Sequence, residues 1–253
     1  MSPLLELRNI HKRYDSGTVA LAEMSLAVGE HEFVSLLGPS GCGKSTALKM
    51  IAGLTSISSG SIAWSSGSSD HAHEMSFVFQ EPTLMPWATV FDNVWLPLRL
   101  AGQSREASRG VVEAALQTVG LAQFAAAYPR ELSGGMMMRV SIARAMVTQP
   151  RLLLMDEPFA ALDEMTRFKL NNDTLRLWQA ARFTVMFVTH SVYESVYLSQ
   201  RIVVMAARPG RVVAEIEVDE PYPRSDAFRA TARYGDWCVQ VSKALYAAGG
   251  LDE

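Results

Sequence analysis

A glycine-rich segment near the amino terminus constrains this chain more than any other feature. The sequence GPSGCGKS over 38–45 fits the pattern of glycine, four residues and Gly-Lys-Ser. An apolar run over 32–37 precedes it and good helix formers follow over 44–52, which predicts a strand, a turn and a helix in that order. Such a turn binds phosphate, because its backbone N–H groups and the positive end of the helix face an anion. We call this segment the phosphate loop.

Two side chains of the phosphate loop carry its chemistry. Lys44 would neutralise charge on the β and γ phosphates of a nucleotide, and the Ser45 hydroxyl can ligate Mg²⁺. The nucleotide-binding candidates here are Gly38, Pro39, Ser40, Gly41, Cys42, Gly43, Lys44, Ser45 and Thr46. Cys42 is either a reactive thiol or a small residue that fills the loop, and we favour the second interpretation. A glycine turn beside a solvated lysine is the plain alternative for the segment.

Composition excludes several function classes. The chain has 253 residues with 49% hydrophobic content, enough for a substantial core in one large domain or two small ones. A net charge of -3 gives no basic excess for binding a nucleic-acid backbone. Cys42 and Cys238 are too few for a disulfide framework or a zinc site. With no secretory signal and no apolar run of ~20 residues, we expect a cytosolic chain that reaches a membrane only through a partner.

Strand and helix patterns alternate along most of the chain. Strands are predicted over 4–7, 19–28, 32–37, 61–64, 75–80, 152–155, 184–189, 202–205 and 212–218. Helices are predicted over 44–52, 104–119 inside a helical insert at 90–128, 137–147, 164–180, 191–198 and 227–247. The Ser- and Gly-rich stretch over 56–70 predicts surface turns around a hairpin. Strands that alternate with helices indicate an α/β chain with a largely parallel sheet.

A second chemical motif follows the apolar run over 152–155. Asp156 and Glu157 come directly after it, and at the carboxyl edge of a parallel sheet we expect them beside the phosphate loop. Asp156 would hold the Mg²⁺ shell, while Glu157 would orient or deprotonate an attacking water. Two acids after an apolar strand commonly mark a solvated strand end, so the catalytic interpretation of this pair depends on the presence of the phosphate loop.

A third motif, the sequence LSGGM over 132–136, precedes a helical pattern. Ser133 can cap the helix, and Gly134 and Gly135 let an anion approach the helix terminus closely. One nucleotide does not easily occupy two such termini in one copy, so we expect this signature segment to serve a nucleotide held by a second copy. An ordinary Ser-Gly-Gly helix cap is the alternative.

In the chain order phosphate loop, Gln80, signature segment, Asp156-Glu157 and His190, the motifs resemble the ATPase subunit of ATP-binding cassette (ABC) transporters over nearly the first 215 residues. The resemblance implies a P-loop NTPase with the ABC-ATPase fold: a β-rich amino-terminal subdomain, a RecA-like core and an α-helical signature subdomain. It implies an ABC ATPase domain over 1–218, with the helical subdomain at about 90–148. Residues 219–253 would form a carboxy-terminal helical extension.

The resemblance also assigns roles to four scattered residues. Gln80 would ligate Mg²⁺, sense the nucleotide and link to a permease, and His190 would contact the γ-phosphate and help to position the water. Tyr14 would stack on adenine, and Asp163, in the sequence ALD, would face the dimer partner. The plainer alternatives are a polar strand end for Gln80, an ordinary surface or core histidine for His190, and simple packing for Tyr14.

The implied function is ATP hydrolysis coupled to solute uptake, with ATP and Mg²⁺ as cofactors. The implied partners are a second ATPase copy, transmembrane permease subunits and, indirectly, a solute-binding protein, at the cytoplasmic face of the inner or plasma membrane and with no nucleic acid. The segments 77–87 and 189–195 resemble importers of nitrate, sulfonate and taurine, some of whose relatives carry pyrimidine precursors. A cassette ATPase that acts on nucleic acid or ribosomes, and a small-molecule kinase, are the competing hypotheses.

One departure from the family pattern lies directly after the signature glycines. Met136, Met137 and Met138 stand where polar residues are usual before Arg139. They either pack against a neighbouring helix or alter how the signature helix engages the other copy's nucleotide. We expect activity to survive, because the serine and glycines before them supply the phosphate contacts.

Overall fold

Nine strands and eight α-helices form in the residues that the computed structural model describes, 3–65 and 74–249. The strands are β1 (Leu5–Arg13), β2 (Val19–Val28), β3 (Phe33–Leu37), β4 (Ser59–Trp64), β5 (Met75–Val78), β6 (Leu152–Asp156), β7 (Thr184–Thr189), β8 (Arg201–Ala206) and β9 (Arg211–Glu217). The helices are α1 (Lys44–Ile51), α2 (Val90–Leu100), α3 (Arg109–Thr118), α4 (Gly134–Met146), α5 (Glu164–Ala181), α6 (Val192–Leu198), α7 (Asp226–Arg229) and α8 (Ala232–Gly249), with short 3₁₀ turns at Ala122–Phe124 and Pro129–Glu131. None of these helices is long and apolar enough to cross a membrane.

These elements form two compact units, of which the first contains described residues 3–65 and 182–249 and the second contains 74–181. In the first unit, β1 pairs antiparallel with both β2 and β4. The strand predicted over 61–64 is therefore present, and its partner among the described residues is β1, with Leu5 opposite Trp64. The Ser- and Gly-rich β4 has little apolar surface of its own, so it pairs with a strand that already buries Leu5, Leu7 and Ile10. Residues 66–70 of the predicted hairpin lie outside the described residues.

The first unit also contains a second set of strands in the order β7, β3, β8, β9. β3 runs parallel to both β7 and β8, and β9 joins the edge antiparallel to β8. All residues of β3 and β7 are buried, as expected for parallel strands covered on both faces. This confirms the predicted α/β class and places several strand ends at one edge.

In the second unit, β5 and β6 are parallel neighbours, and the helices contain an apolar core. Helix α2 begins where the pattern predicts, because the Thr89 side chain accepts a hydrogen bond from the N–H of Asp92. The prediction of a helix from Ser104 is wrong for its first residues, since α3 begins at Arg109. Ser104 instead closes a local turn in which its carbonyl accepts from the N–H of Ser108 and its hydroxyl accepts from the N–H of Ala107.

The carboxy-terminal helix predicted over 227–247 is wrong as one continuous element, because it is divided into α7 and α8. Thr231 lies at the break, where its hydroxyl donates to the Phe228 carbonyl at 2.7 Å and accepts from the N–H of Tyr234 at 3.2 Å. A threonine that satisfies backbone groups on both sides ends one helix and starts the next. The Tyr234 hydroxyl then donates to the Tyr193 carbonyl, which ties α8 to α6.

A buried arginine connects the segment after β9 to the end of α6. Arg224 is only 6% exposed, and its Nη1 lies 2.8 Å from the Val196 carbonyl oxygen, 3.1 Å from that of Tyr197 and 2.9 Å from that of Ser199. Carbonyls at a helix carboxyl end have no partner within the helix. The guanidinium therefore satisfies the end of α6 and holds the carboxy-terminal segment against it.

We predict that Arg224→Ala destabilises the fold. It removes charged hydrogen bonds and leaves buried carbonyls without a donor, at a cost of about 3 kcal/mol. The melting temperature should fall by about 6–12 °C, measured by circular dichroism. Arg109→Ala is the matched control, because Arg109 is 62% exposed in a long ion pair with Glu113 and such pairs contribute little. Equal melting of the two variants would contradict this account of Arg224.

Candidate functional site

The phosphate loop connects the end of buried β3 to the start of α1. Gly43 is the residue before the helix, with φ of 90°, and no side chain caps the helix there. The first turn of α1 carries no acidic residue, in contrast to α2 and α5, which carry Asp92 and Glu164. The backbone N–H groups of the first helical turn have no intrahelical acceptor and attract anions. The loop therefore fits a phosphate group.

The charge of Lys44 is held inside this loop. The residue is 4% exposed, and its ammonium donates to the carbonyl of Gly38 at 2.7 Å and to that of Pro39 at 3.1 Å. Gly41 turns the loop with φ of 78°, a conformation that favours glycine. The side chain and the backbone thus present positive charge at the same turn.

Cys42 is fully buried behind the loop. Burial raises the pKa of its thiol above the usual range, and the nearby Lys44 charge only partly opposes that rise. A reactive cysteine needs the opposite environment, one that favours the thiolate. The geometry supports the interpretation of Cys42 as a residue that fills the loop.

His190 leaves the sheet of the first unit beside the phosphate loop. β3 and β7 are parallel neighbours with Leu37 opposite Thr189, so Gly38 and His190 are the next residues at the same edge. His190 is exposed, and the turn around it is fixed by Thr189, whose hydroxyl donates to buried Glu194 at 2.6 Å and accepts from the N–H of Ser191 at 3.0 Å. Strand register therefore brings these two predicted phosphate contacts together.

Tyr14 lies next to the first turn of α1. Its hydroxyl is 3.3 Å from that of Thr46, and its ring is 41% exposed. The Lys12 ammonium lies 5.0 Å from the ring centroid. Adenine stacking on this exposed ring remains a prediction.

A similar register relates three predicted site residues of the second unit. β5 and β6 are parallel, with Val78 opposite Met155. Asp156, the last residue of β6, and Glu157 directly after it therefore lie beside Phe79 and Gln80. Asp156 is 9% exposed, whereas Glu157 has φ of 46°. Holding a residue other than glycine in that left-handed conformation costs roughly 1–3 kcal/mol and is typical of functional sites.

The signature segment begins α4 earlier than predicted. The helix starts at Gly134 and not at residue 137, because the Ser133 hydroxyl accepts from the N–H of Met136 at 3.3 Å and caps it. A side chain at Gly135 would place Cβ 2.5 Å from Cγ2 of Thr166, so this glycine lies directly against the start of α5. Asp163 caps that start by accepting from the N–H of Thr166 at 3.0 Å, and hydrogen bonds from the side chain and then from the N–H of Thr166 lower the pKa of Asp163. Two capped helix ends therefore lie side by side in the second unit.

Two of the three methionines after the signature glycines pack against the helical core, and the third is buried. Met138 is 1% exposed, and Met136 and Met137 pack against the cluster that includes Val94 and Leu116. This supports packing as the role of the unusual methionines. Arg139, the next residue of α4, links this helix to α5, because its guanidinium lies 2.7 Å from the Asp173 carboxylate.

Comparison with known proteins decides the family of this chain. Residues 21–160 match the model of the family described as ABC transporter. The chain belongs to the ABC transporter family. It is 44% identical to the taurine import ATP-binding protein TauB of Rhizobium johnstonii (strain DSM 114642 / LMG 32736 / 3841) over 208 residues, 82% of this chain and 79% of that one. It is 42% identical to the aliphatic sulfonates import ATP-binding protein SsuB of Bacillus licheniformis (strain ATCC 14580) over 225 residues, 87% of each chain.

A solved ABC structure shares the fold. The dimeric post-hydrolysis state of the ATP-binding cassette MJ0796, bound to ADP and phosphate, is 32% identical, with a TM-score of 0.75 over 86% of this chain and 100% of that chain. The α/β architecture is therefore that of an ABC ATPase, which confirms the predicted fold class and the predicted activity, ATP hydrolysis. The phosphate loop lies in the first unit and Asp156 and Glu157 lie in the second, so their juxtaposition stays a prediction.

The residues expected to hold Mg²⁺ carry oxygen donors, which suit this ion. In residues 3–65 and 74–249, no three His, Cys, Asp or Glu side chains gather into an all-protein metal site. The expected ligands Ser45, Gln80 and Asp156 supply only oxygen atoms. Magnesium prefers oxygen ligands and is usually held by one or two carboxylates together with substrate phosphates.

Sequence reasoning missed two residues that fix the segment after Gln80. The Arg144 guanidinium, from the signature helix α4, lies 2.9 Å from the carbonyl oxygens of Pro82 and Thr83 and from the Thr83 hydroxyl. Burial lowers the pKa of Arg144. Fully buried Asn93 accepts from the N–H of Met85 at 2.8 Å and donates to the Met85 carbonyl at 3.2 Å. The sequence did offer a signal for Arg144, because it is a cationic residue between two alanines, Ala143 and Ala145, in an otherwise apolar helix.

We predict that Cys42→Ala keeps ATP turnover within about threefold of the native rate, because the thiol only fills space. Loss of a covalent nucleophile costs far more, on the order of 10⁶-fold in a well-studied protease. Cys238→Ala, which alters the other buried cysteine, is the control, and phosphate release is the measurement. A loss of more than about 10³-fold in Cys42→Ala alone would restore the catalytic interpretation.

Proposed function

We propose that this chain is the ATP-hydrolysing subunit of an importer of the nitrate, sulfonate and taurine type, or of related small organic solutes that include pyrimidine precursors. The observation that carries the proposal is the presence of two anion-type helix starts in one chain. α1 begins behind the phosphate loop, and α4 begins at the signature glycines with the cap from Ser133. The relatives named for import of taurine and aliphatic sulfonates support the solute class.

Two such helix starts favour a site shared between two copies. Each ATP would contact the phosphate loop of one copy and the signature segment of the other, with Asp163 facing the partner. The dimeric cassette that binds ADP and phosphate supports this arrangement. ATP drives closure by binding the closed dimer more tightly than the open one. A ligand with equal affinity for both states would not shift the equilibrium between them.

Hydrolysis needs a base, a positioned water and charge neutralisation. Glu157 accepts a proton from water as the water oxygen attacks the γ-phosphorus, and the bond to the bridging oxygen of ADP breaks. Lys44 neutralises charge on the phosphates, and His190 contacts the γ-phosphate. Mg²⁺, held by Ser45, Gln80 and Asp156 when bound, would stabilise charge on the β and γ oxygens. Tyr14 would stack on adenine, and Thr46, whose hydroxyl lies 3.3 Å from that of Tyr14, would also contact the nucleotide.

The permease is proposed to contact the segment after Gln80. Trp87 is 77% exposed there and Leu100, at the end of α2, is 79% exposed. These two side chains are the candidates for the contact, because apolar surface that forms a patch commonly marks a protein interface. Arg144 and Asn93 hold the backbone of this segment in place, so a partner would meet a preformed surface. A solute-binding protein outside the membrane would complete the importer, and the ATPase would be peripheral on the cytoplasmic face.

The proposed domain boundaries follow the family resemblance. The ATPase domain spans 1–218 with its signature subdomain at about 90–148, and residues 219–253 form the extension. The buried Arg224 and the α8 contact with Tyr193 support an extension that packs on α6. No nucleic-acid partner is proposed, because the charge of -3 offers no basic surface excess.

We predict that Glu157→Gln abolishes turnover and traps an ATP-bound dimer. The amide cannot accept the proton, so phosphate release should fall by at least about 10²-fold, while size exclusion with ATP should show a dimer. Glu164→Gln, a change at an exposed acid in the first turn of α5, is the matched control. Hydrolysis at the native rate in Glu157→Gln would refute the assigned base.

Adding Ser133→Arg to Glu157→Gln tests the shared site separately. A bulky cation at the start of α4 would block the partner's nucleotide, so the double variant should bind ATP as a monomer. An ATP-dependent dimer of unchanged stability would rule out the composite site.

We predict that Trp87→Ala weakens the permease complex but not ATP binding. A central aromatic anchor commonly contributes at least 2 kcal/mol, so co-purification with the cognate permease should fall by roughly tenfold or more. Tyr246→Ala removes a comparably exposed aromatic, 60% exposed on α8, as the control. Equal recovery of permease with both variants would place the contact elsewhere, and recovery of ribosomes with the native chain would overturn the importer proposal.

A further inference from the structure

The turn between β8 and β9 lies against the strand that backs the phosphate loop. Gly210 ends this turn and is bonded to β2 on both sides. Its N–H donates to the Ala20 carbonyl at 3.1 Å, and its carbonyl accepts from the N–H of Ala22 at 3.0 Å. The turn is therefore fixed to β2 and cannot move away without loss of both bonds.

Gly210 has no room for a side chain. A Cβ atom there would lie 2.1 Å from the carbonyl oxygen of Cys42 and 2.8 Å from that of Ala20. Both are backbone atoms, which cannot rotate aside as the end of a flexible side chain can. The φ of Gly210 is not in the left-handed region, so clearance and not backbone conformation demands glycine here.

The phosphate loop is equally tight from its own side. A Cβ at Gly43 would lie 2.6 Å from Cδ2 of Leu21 and 2.9 Å from the Ala20 carbonyl oxygen. A Cβ at Gly38 would lie 2.6 Å from the carbonyl oxygen of Met205, in β8. The rear of the loop thus meets β2 and the end of β8 with no spare space, and Gly210 completes that contact surface.

We propose that Gly210 is a positioning residue for the phosphate loop. The Cys42 carbonyl and the Gly43 N–H belong to one planar peptide unit, so a group that pushes the oxygen also tilts the N–H. That N–H is part of the backbone that faces the phosphates at the start of α1. The turn after β8 therefore sets how well the loop is shaped for a nucleotide, and it acts through its contact with the Cys42 carbonyl.

Gly210→Ala tests the proposal, with Gly110→Ala as the control. Gly110 lies in α3, where an added Cβ meets nothing within 4 Å. For Gly210→Ala we expect the Kd for ATP and for ADP, and the KM for ATP, to rise at least about tenfold, as misplacement of binding groups does. We expect kcat at saturating ATP to change less than about threefold. Circular dichroism without nucleotide checks the fold, and Gly110→Ala should match the native values.

The pattern of change separates positioning from damage. A purely structural role would lower kcat through a smaller active fraction and leave KM unchanged, and that result, or native affinity in folded Gly210→Ala, would overturn the proposal. The proposal rests on nucleotide binding by the phosphate loop. A native chain that binds no ATP would defeat the proposed function itself, which is a different outcome from loss in the variant alone.

Amide hydrogen exchange in the native chain covers the case in which Gly210→Ala does not fold. Nucleotide should slow exchange of the N–H groups of Ala22 and Gly210, because ordering the loop also orders the turn behind it. The N–H of Gly235, in α8, is the internal control and should exchange at the same rate with and without ADP. Unchanged exchange at Ala22 and Gly210 would show that the turn is not coupled to the loop.

Discussion

The backbone N–H groups at the start of α1 are the constraint on which the rest of the site depends. They follow a buried strand, have no intrahelical acceptors and receive no side-chain cap. Every neighbouring feature suits an anion there: the Lys44 charge lies inside the turn, and no acid occupies the first turn of the helix. The loop can keep this shape only while glycine stands where β2 and β8 approach it.

In both units, the register of the parallel strands determines which residues lie side by side at the strand ends. Residues in register at the ends of neighbouring strands lie beside one another, as Gly38 and His190 do in the first unit and as Gln80 and Glu157 do in the second. Slipping a strand by one residue would turn its side chains to the opposite face. The buried, uninterrupted β3 and β6 therefore determine which polar groups can meet, although they carry no chemistry over most of their length.

Local signals in the sequence were sufficient for the strands, for the phosphate loop and for most helices, because apolar period and glycine spacing act over a few residues. Contacts between distant residues were not accessible: nothing near Gly210 indicates that the Cys42 carbonyl lies behind it, and nothing near β4 indicates that β1 is its partner. The start of α4 was within reach, since Ser133 is a good cap. The glycines after it have low helix propensity, and that favoured the later start.

The hydrogen bonds from Arg144 and Asn93 to the segment after Gln80 leave its outward-facing residues free to change. Most of their hydrogen bonds go to main-chain atoms of Pro82, Thr83 and Met85. Main-chain carbonyl groups are the same whatever residue is present, so substitutions at the outward-facing positions leave these hydrogen bonds intact. Under the proposed permease contact, substitutions can change the surface around Trp87 while its backbone keeps the same path. The chain thus separates the part of this segment that must stay constant from the part that is free to adapt.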